Sequence, residues 1–416
     1  MKRCTPAVVL AHGPGGLGAV RCLARKGIPV TAIAYGRDEA VIGSRWPART
    51  LVATGSDCQK ERQIPGILAG LDLGEAALLA TSDRMVELMA RHREALSAAG
   101  FRFLIPSLDL IQTLNDKVAE TQCLAAAGAP VPKTVFPLPP RPSDLERELG
   151  PDVIFKPRSY AEGVIINRKN FIARNREEIE AVYRDRRDFL PLMLAQEIIP
   201  GDDDAGWVVS GSFGPRSEML ACAMKRKIRM YPPHFGVSSI AVSEWRQEVA
   251  DLTRDLAARL NHVGHANFEF RYDYRDGLYK YIEMNPRIQG NVEFDDLSGV
   301  PTVWYTYRVA LGETVEPWPT PQRDGAIYMD ALDDVLGRLH DGELPSSILR
   351  HYASFRGARR HGAYFSWDDP VPGMKRLKRF LAERAALAVR RFRRPLETVP
   401  AAGPAARHAQ SRVNGR

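Results

Sequence analysis

The sequence predicts an α/β front followed by an α+β middle section and a small C-terminal extension. Three observations carry that expectation. The first hundred residues alternate short apolar runs (AVVLA, PVTAIAY, ALLAT, FRFLI) with helical patterns, the signature of a parallel sheet with crossover helices. The middle section reads instead as strands broken by turns and occasional helices. Finally, 416 residues exceed one ordinary core, so two or three subdomains are expected at roughly 100 to 200 residues each.

Taken in order, AVVLA leads into the glycine turn HGPGGLG and a helix ending near Lys26. Gly13, Gly15 and Gly18 satisfy the dinucleotide fingerprint after a strand and before a helix. The second strand should then end in an acidic residue for the ribose, yet VTAIAY ends at Tyr35 and continues Gly36, Arg37, Asp38. A dinucleotide-dependent oxidoreductase therefore remains a rival resting on the glycine turn alone. A helix is expected from Asn115 or Asp116 to Ala127, stopped by Gly128 and Pro130. VPKTVF is a candidate strand and residues 137–142 a proline-rich connection. Ser143 with Glu146, and Asn175 with Glu178, resemble capping boxes. Between them VIFKP, RSYAEG and VIINRKNFIA read as strand, loop and strand. LMLAQEIIP, GWVVSGSF and EMLACAMK continue as strands, a helix covers residues 245–260, and FEFRYDY and LYKYIEMN form a hairpin around Asp276 and Gly277.

Composition excludes several classes. The apolar fraction of 44% and charged fraction of 26% are those of a globular protein. No run approaches the roughly 18 to 20 apolar residues of a membrane span, and the opening residues lack a signal-peptide core, so a cytoplasmic location is expected. Five scattered cysteines, without CxxC or histidine spacing, indicate neither a disulfide framework nor a zinc site. The net charge of +8 is located in the tail: from Val371 onward twelve Lys or Arg face two Glu, a net of +10, which leaves −2 for the first 370 residues. Nucleic acid is therefore not an expected partner. The helical spacing of Met374, Leu377, Leu381, Ala388 and Phe392 opposite a basic face suits either an anionic membrane surface or docking on its own domain. The last twenty residues read as disordered.

The hairpin carries the chemistry. Glu269 and Glu283 lie on its two strands, and adjacent strands can bring two carboxylates to one magnesium site. Asn285, two residues after Glu283, shares its face and its metal, and Arg287 can present a planar cation to phosphate or carboxylate. The surrounding Phe268, Phe270, Tyr281, Ile282 and Met284 argue against a merely solvated ribbon.

The segment FEF, a hairpin, then IEMNPR resembles the metal-binding strands of the ATP-grasp superfamily, in particular its carboxylate-amine ligases, D-aspartate ligase-like proteins and biotin carboxylases. The resemblance covers roughly residues 1–370. It implies a Rossmann-like pre-ATP-grasp domain (1–114), an ATP-grasp nucleotide- and metal-binding domain (115–312), a C-terminal region with a basic helix (313–395) and a disordered tail (396–416). It implies ATP with two magnesium or manganese ions as cofactors, the metals on Glu269, Glu283 and Asn285, and Arg287 at the reacting phosphate. Lys117 in LNDKVAET and Lys156 in VIFKPRSYAEG match the phosphate-binding lysines. Ser159 and Gly163 fall in the flap, which has one glycine where the family has two or three. Gln196, Glu197 and Ile199 in AQEIIPGDDD match the adenine hinge, with Asp203 at the ribose spacing and Asp202 and Asp204 open. Lys225, Lys227 and Arg229 alternate on one strand face, and Lys225 and Lys227 join Arg287 as substrate-facing cations. The implied activity joins a small-molecule carboxylate to an amine through an acyl phosphate, with a homodimer open. A regulator holding ATP without turnover is the rival from another class.

Overall fold

The computed structural model describes residues 4–167 and 170–392, with side chains through 385. Three sheets organise it. The front sheet holds β1 (Ala7–Ala11), β2 (Val30–Ala34), β3 (Arg49–Val52), β4 (Ala76–Ala80) and β5 (Phe101–Arg102), all parallel, in the order β3-β2-β1-β4-β5. β1, β2 and β4 are buried on both faces, which explains their unbroken apolar runs. A small sheet holds β6 (Thr134–Val135), β7 (Val153–Pro157), β8 (Phe171–Ala173) and β9 (Met193–Glu197), ordered β6-β9-β7-β8.

The large sheet holds β10 (Gly206–Phe213), β11 (Met219–Tyr231), β12 (Val237–Ser243), β13 (Gly264–Asp273), β14 (Leu278–Asn285), β15 (Ile327–Met329) and β16 (Arg360–Gly362), ordered β14-β13-β10-β11-β12-β15-β16. Its two faces differ in chemistry. Trp207, Val209, Met224, Phe268, Phe270 and Met284 pack with Val249 and Leu256 of the helix Gln247–Arg259 in one core. The alternate residues point the other way. There Lys225, Val208, Glu269 and Glu283 form one row across four strands, and Ala223, Ser210, Asn267 and Asn285 form the next.

Local chemistry overrides the sequence expectation in four places. The loop at RSYAEG is a helix, Tyr160–Ile166, and the strand that follows shrinks to β8. Ser159 caps that helix through its Oγ, which accepts from the Ala161 N–H at 3.2 Å, and Asn167 ends it in a left-handed conformation at φ 54°. A short cap-and-stop pair therefore outweighs the β-branched run between them. The helix Pro142–Leu149 starts from Arg141 with proline in its first turn and has no side-chain cap, so Ser143 and Glu146 form no capping box. EMLACAMK and the basic stretch after it are one long strand, β11. That strand slips register between Lys227 and Arg229 and again before Met230, which breaks the shared face expected of Lys225, Lys227 and Arg229. Arg229 turns onto Asp334, Asp341 and Glu343 instead.

Among the described residues, those up to 374 form one compact unit and those from 375 to 392 belong to a second. The helix Val371–Phe392 exposes Met374, Leu377 and Leu381. Ala388 and Phe392 lie outside the described side chains, and the expected disordered tail lies outside the described residues. Among the described residues, no helix is long and apolar enough to cross a membrane.

Candidate active site

Glu269 and Glu283 are directly opposed across β13 and β14. Like charges at opposed positions repel, so their neighbours decide whether the pair is tolerable. Lys227 Nζ lies 2.7 Å from Glu269 Oε2. Its stem runs over Gly206, where a Cβ would fall 2.9 Å from Lys227 Cδ, so glycine leaves the path open. The charge of Lys117 holds Glu283 below the ordinary carboxylate range against the opposing effect of burial, and Glu283 in turn raises Lys117. Lys156 is pulled down to about 8, first by burial and then by the Lys117 charge.

Sequence-distant contacts aim these groups. The Lys117 N–H donates to Arg158 O at 2.8 Å, and Arg158 Nε donates to Asp116 Oδ2 at 2.6 Å, so the start of the helix Lys117–Ala126 is stitched to the end of β7. Lys156 Nζ donates to Gln196 Oε1 at 2.7 Å, and Gln196 Nε2 donates to Thr134 Oγ1 at 2.9 Å. Gln196 thus holds a phosphate-binding candidate in place. Arg287 Nε bridges both oxygens of Asp83, at 2.9 and 3.0 Å, and its Nη2 donates to Asn285 Oδ1 at 3.0 Å. Beside Asn285, buried Asn267 has no partner for either amide atom among the described residues.

Other predicted residues fall elsewhere. Lys225 is buried, with Nζ 3.3 Å from Asp295 Oδ1, and that aspartate also accepts from Thr302 Oγ1 at 2.8 Å. It shares the sheet face of the opposed glutamates, but its ammonium is engaged by Asp295 rather than by them. Glu197 uses its side chain on the Lys133 N–H (2.8 Å) and Arg275 Nη2 (3.0 Å), while buried Ile199 gives its carbonyl to Arg271 Nε at 2.9 Å. Asp203 turns inward, accepting from the Met230 N–H at 2.8 Å and contacting His234 Nδ1 at 3.0 Å, whereas Asp202 and Asp204 are exposed. Ser159 and Gly163 belong to the flap helix, and a Cβ on Gly163 would meet only Pro157, at 3.7 Å.

Sequence reasoning missed Glu120 and Asp83. Glu120 is buried, accepts from Tyr281 Oη at 2.5 Å and the Met284 N–H at 3.0 Å, and is pushed up to about 7 by burial. It fixes β14 on either side of Glu283. Its only signal in sequence is a position three residues beyond Lys117, on the same helix face.

The glycine turn has a different purpose from the dinucleotide fingerprint. A Cβ on Gly15 would fall 2.9 Å from Gln289 O, and one on Gly18 would fall 3.1 Å from Val292 Cγ1. The glycines let the helix Gly13–Ala24 lie against the segment that follows Arg287. The N-terminus of that helix is closed by Glu39, whose Oε2 accepts from the Gly13 N–H at 2.6 Å. A carboxylate at the position of a pyrophosphate argues against dinucleotide binding.

The fold and this arrangement are similar to those of ATP-grasp proteins. The model of the carbamoyl-phosphate synthase L chain ATP-binding domain matches residues 238–317, which include both glutamates. D-aspartate ligase of Enterococcus faecium is 26% identical over 231 residues, 52% of this chain and 54% of that protein. Biotin carboxylase of Pseudomonas aeruginosa is 27% identical over 294 residues, 66% of this chain and 62% of that one. The chain thus spans a little over half the length of these curated relatives. The structure of a Campylobacter jejuni biotin carboxylase–β,γ-ATP complex superposes with a TM-score of 0.61 at 17% identity, covering 78% of this chain and 74% of that one. These similarities show a fold shared with biotin carboxylases and a segment similar to the carbamoyl-phosphate synthase ATP-binding domain.

Proposed function

We propose that this protein is an ATP-dependent ligase that activates a small-molecule carboxylate as an acyl phosphate and passes it to an amine, releasing ADP and phosphate. One observation carries the proposal: two opposed glutamates met by three lysines, Lys117, Lys156 and Lys227, from three other elements. Three ammonium groups converging on one pair of opposed carboxylates suit a triphosphate.

The donor set fits magnesium. Glu269, Glu283 and Asn285 offer only hard oxygen ligands, too few for a closed protein cage, and magnesium completes its octahedron with phosphate and water oxygens. When bound, the ions would offset the charge that keeps carboxylate and triphosphate apart. Two ions are proposed on this set.

The chain's own residues do the rest. Lys117 and Lys156 hold the phosphates, and Arg287 receives the charge that builds on the transferred group. The segment from Gln196 to Ile199 takes the adenine and Asp203 the ribose, with the flap helix closing over the phosphates. No side-chain nucleophile is required, because the carboxylate itself attacks phosphorus. Membrane contact by the C-terminal helix gains no support from the relatives and has no part in the proposal.

The test is ADP release across amino acids offered in pairs, with Glu283→Ala as control. Turnover that appears with one pair and vanishes in the variant supports the reading. No turnover with any pair, or turnover unchanged in the variant, refutes it.

A further inference from the structure

The ligase reading leaves one chemical problem open. An amine arrives protonated at neutral pH and cannot attack until it loses a proton, and the residues assigned above are cations or metal-bound carboxylates. A basic group has to stand beside Arg287.

The front sheet supplies one. His12 follows β1 directly, its N–H donating to Thr81 Oγ1 at 2.8 Å, and that hydroxyl donates to Leu10 O at 2.9 Å. Two residues beyond Thr81, Asp83 holds Arg287. Pro14 and Gly15 pack on Gly290 and Gln289, just past Arg287. Two independent contacts therefore bring His12 to the same place as the arginine. This is the carboxyl edge of the parallel strands, where open α/β sheets present their sites.

The imidazole is also held in a defined state. Nδ1 lies 2.7 Å from Glu39 Oε1, while Glu39 Oε2 accepts from the Gly13 N–H at 2.6 Å. A carboxylate with both oxygens accepting requires Nδ1 to carry the proton, so that in the neutral ring the lone pair sits on Nε2. Glu39 is 10% exposed and His12 54%, so the orienting group is enclosed and the ring is reachable. Tyr35 stands edge-on to the ring, 6.1 Å away.

We propose that His12, oriented by Glu39 at the carboxyl end of β1, takes the proton of a primary ammonium substrate. This rests on the ligase reading. The ammonium gives one proton to Nε2, and the freed nitrogen lone pair forms the C–N bond. The carbon–oxygen bond to phosphate breaks with its electron pair leaving on the phosphate, which takes the second nitrogen proton. His12 then returns its proton to water.

The charged groups facing His12 agree with this role. Glu39, from the β2–β3 connection, raises its affinity for a proton most. Burial and the Arg287 charge lower it, and Asp57, at the start of the helix Asp57–Ala69, raises it again. Glu39 and Asp57 also attract an ammonium ion.

Hydroxylamine provides the discriminating probe, because it is uncharged at neutral pH and attacks acyl phosphates without losing a proton first. For the pair that turns over, amide and hydroxamate formation are measured in the wild type and in His12→Asn. The ratio of hydroxamate to amide should rise by about 10²-fold, the low end of general-base catalysis, and the gap should narrow at high pH. Glu39→Gln should move the acidic limb of the amide profile to lower pH, since removing that charge lowers the imidazole's proton affinity. Melting curves check that both variants fold. An unchanged ratio, or hydroxamate falling in step with amide, overturns the assignment of His12 alone. Formation of neither product by the wild type overturns the ligase reading and this one together.

Discussion

Replacing Glu283 with Gln removes one of two opposed carboxylates, and two effects of opposite sign follow. Relief of repulsion with Glu269 should stabilise by about 0.2–1 kcal/mol, the range for cross-strand pairs. Against it, Lys117 loses the partner that dominates its electrostatics, and Lys156 stays in the same cluster. Breaking a fully buried ion pair costs about 3–5 kcal/mol, and Glu283 is only partly enclosed, so about 2–3 kcal/mol is the appropriate figure here. Lys117 is the largest influence on Glu283, ahead of any like charge, so the loss wins, at about 2 kcal/mol net. With an unfolding entropy of about 2.1 cal/mol/K per residue, the unit spanning residues 1–374 should melt about 2–3 °C lower. The wild type should also gain about 2.7 kcal/mol from magnesium-ATP at a hundred times its Kd, or about 3 °C by the same conversion, and the variant should lose most of that gain. Thermal unfolding with and without magnesium-ATP measures both. A variant that melts at or above the wild-type temperature and keeps the nucleotide shift would refute the charge balance and the metal assignment together.

Other perturbations have equally definite signs. Gly15→Ala sets a Cβ 2.9 Å from a backbone oxygen, so the segment after Arg287 must move. Chemical denaturation should show a loss of about 1–3 kcal/mol, with activity falling further than stability alone explains. Arg21→Met leaves Asp369 buried without its cation while Glu293 keeps Arg25, which should cost about 3 kcal/mol, the low end for a broken buried pair, in the same assay. His262 is buried edge-on to Phe213, its ring centroid 5.3 Å away, and burial pulls it down to about 3. Its neutral form is favoured in the fold, so that stability is complete above about pH 6.5 and is lost as pH falls towards 3, by up to about 1.4 kcal/mol per pH unit. His262→Leu should flatten that acid slope, and an unchanged slope would show that other groups carry it.

How much of this was legible follows from the range of each interaction. The placement of Glu269, Glu283 and Asn285 on one face rests on two-residue periodicity and a tight turn, which are local properties. The parallel front sheet is equally local, since fully buried strands appear as uninterrupted apolar runs. The flap helix was not legible, because a cap at Ser159 competes with a β-branched run and only the folded surroundings settle which wins. Lys225 and Lys227 look equivalent in sequence. What separates them is which acid lies over each, and Asp295 comes from a helix 70 positions away. Asp83 and Glu120 meet their partners across 204 and 161 positions, beyond any pattern a window can hold.

Arg21 bears on the order in which the chain can fold. It is wholly buried in the first crossover helix, and the carboxylates that neutralise it lie 272 and 348 positions downstream. A ribosome delivers the front sheet long before it delivers Asp369. Until then that helix holds a charge it cannot bury, so the early part of the chain stays incompletely packed while the ATP-binding strands emerge. The assembly is closed from its far end, and a nascent chain cut short of residue 369 leaves the front sheet without its final fastening.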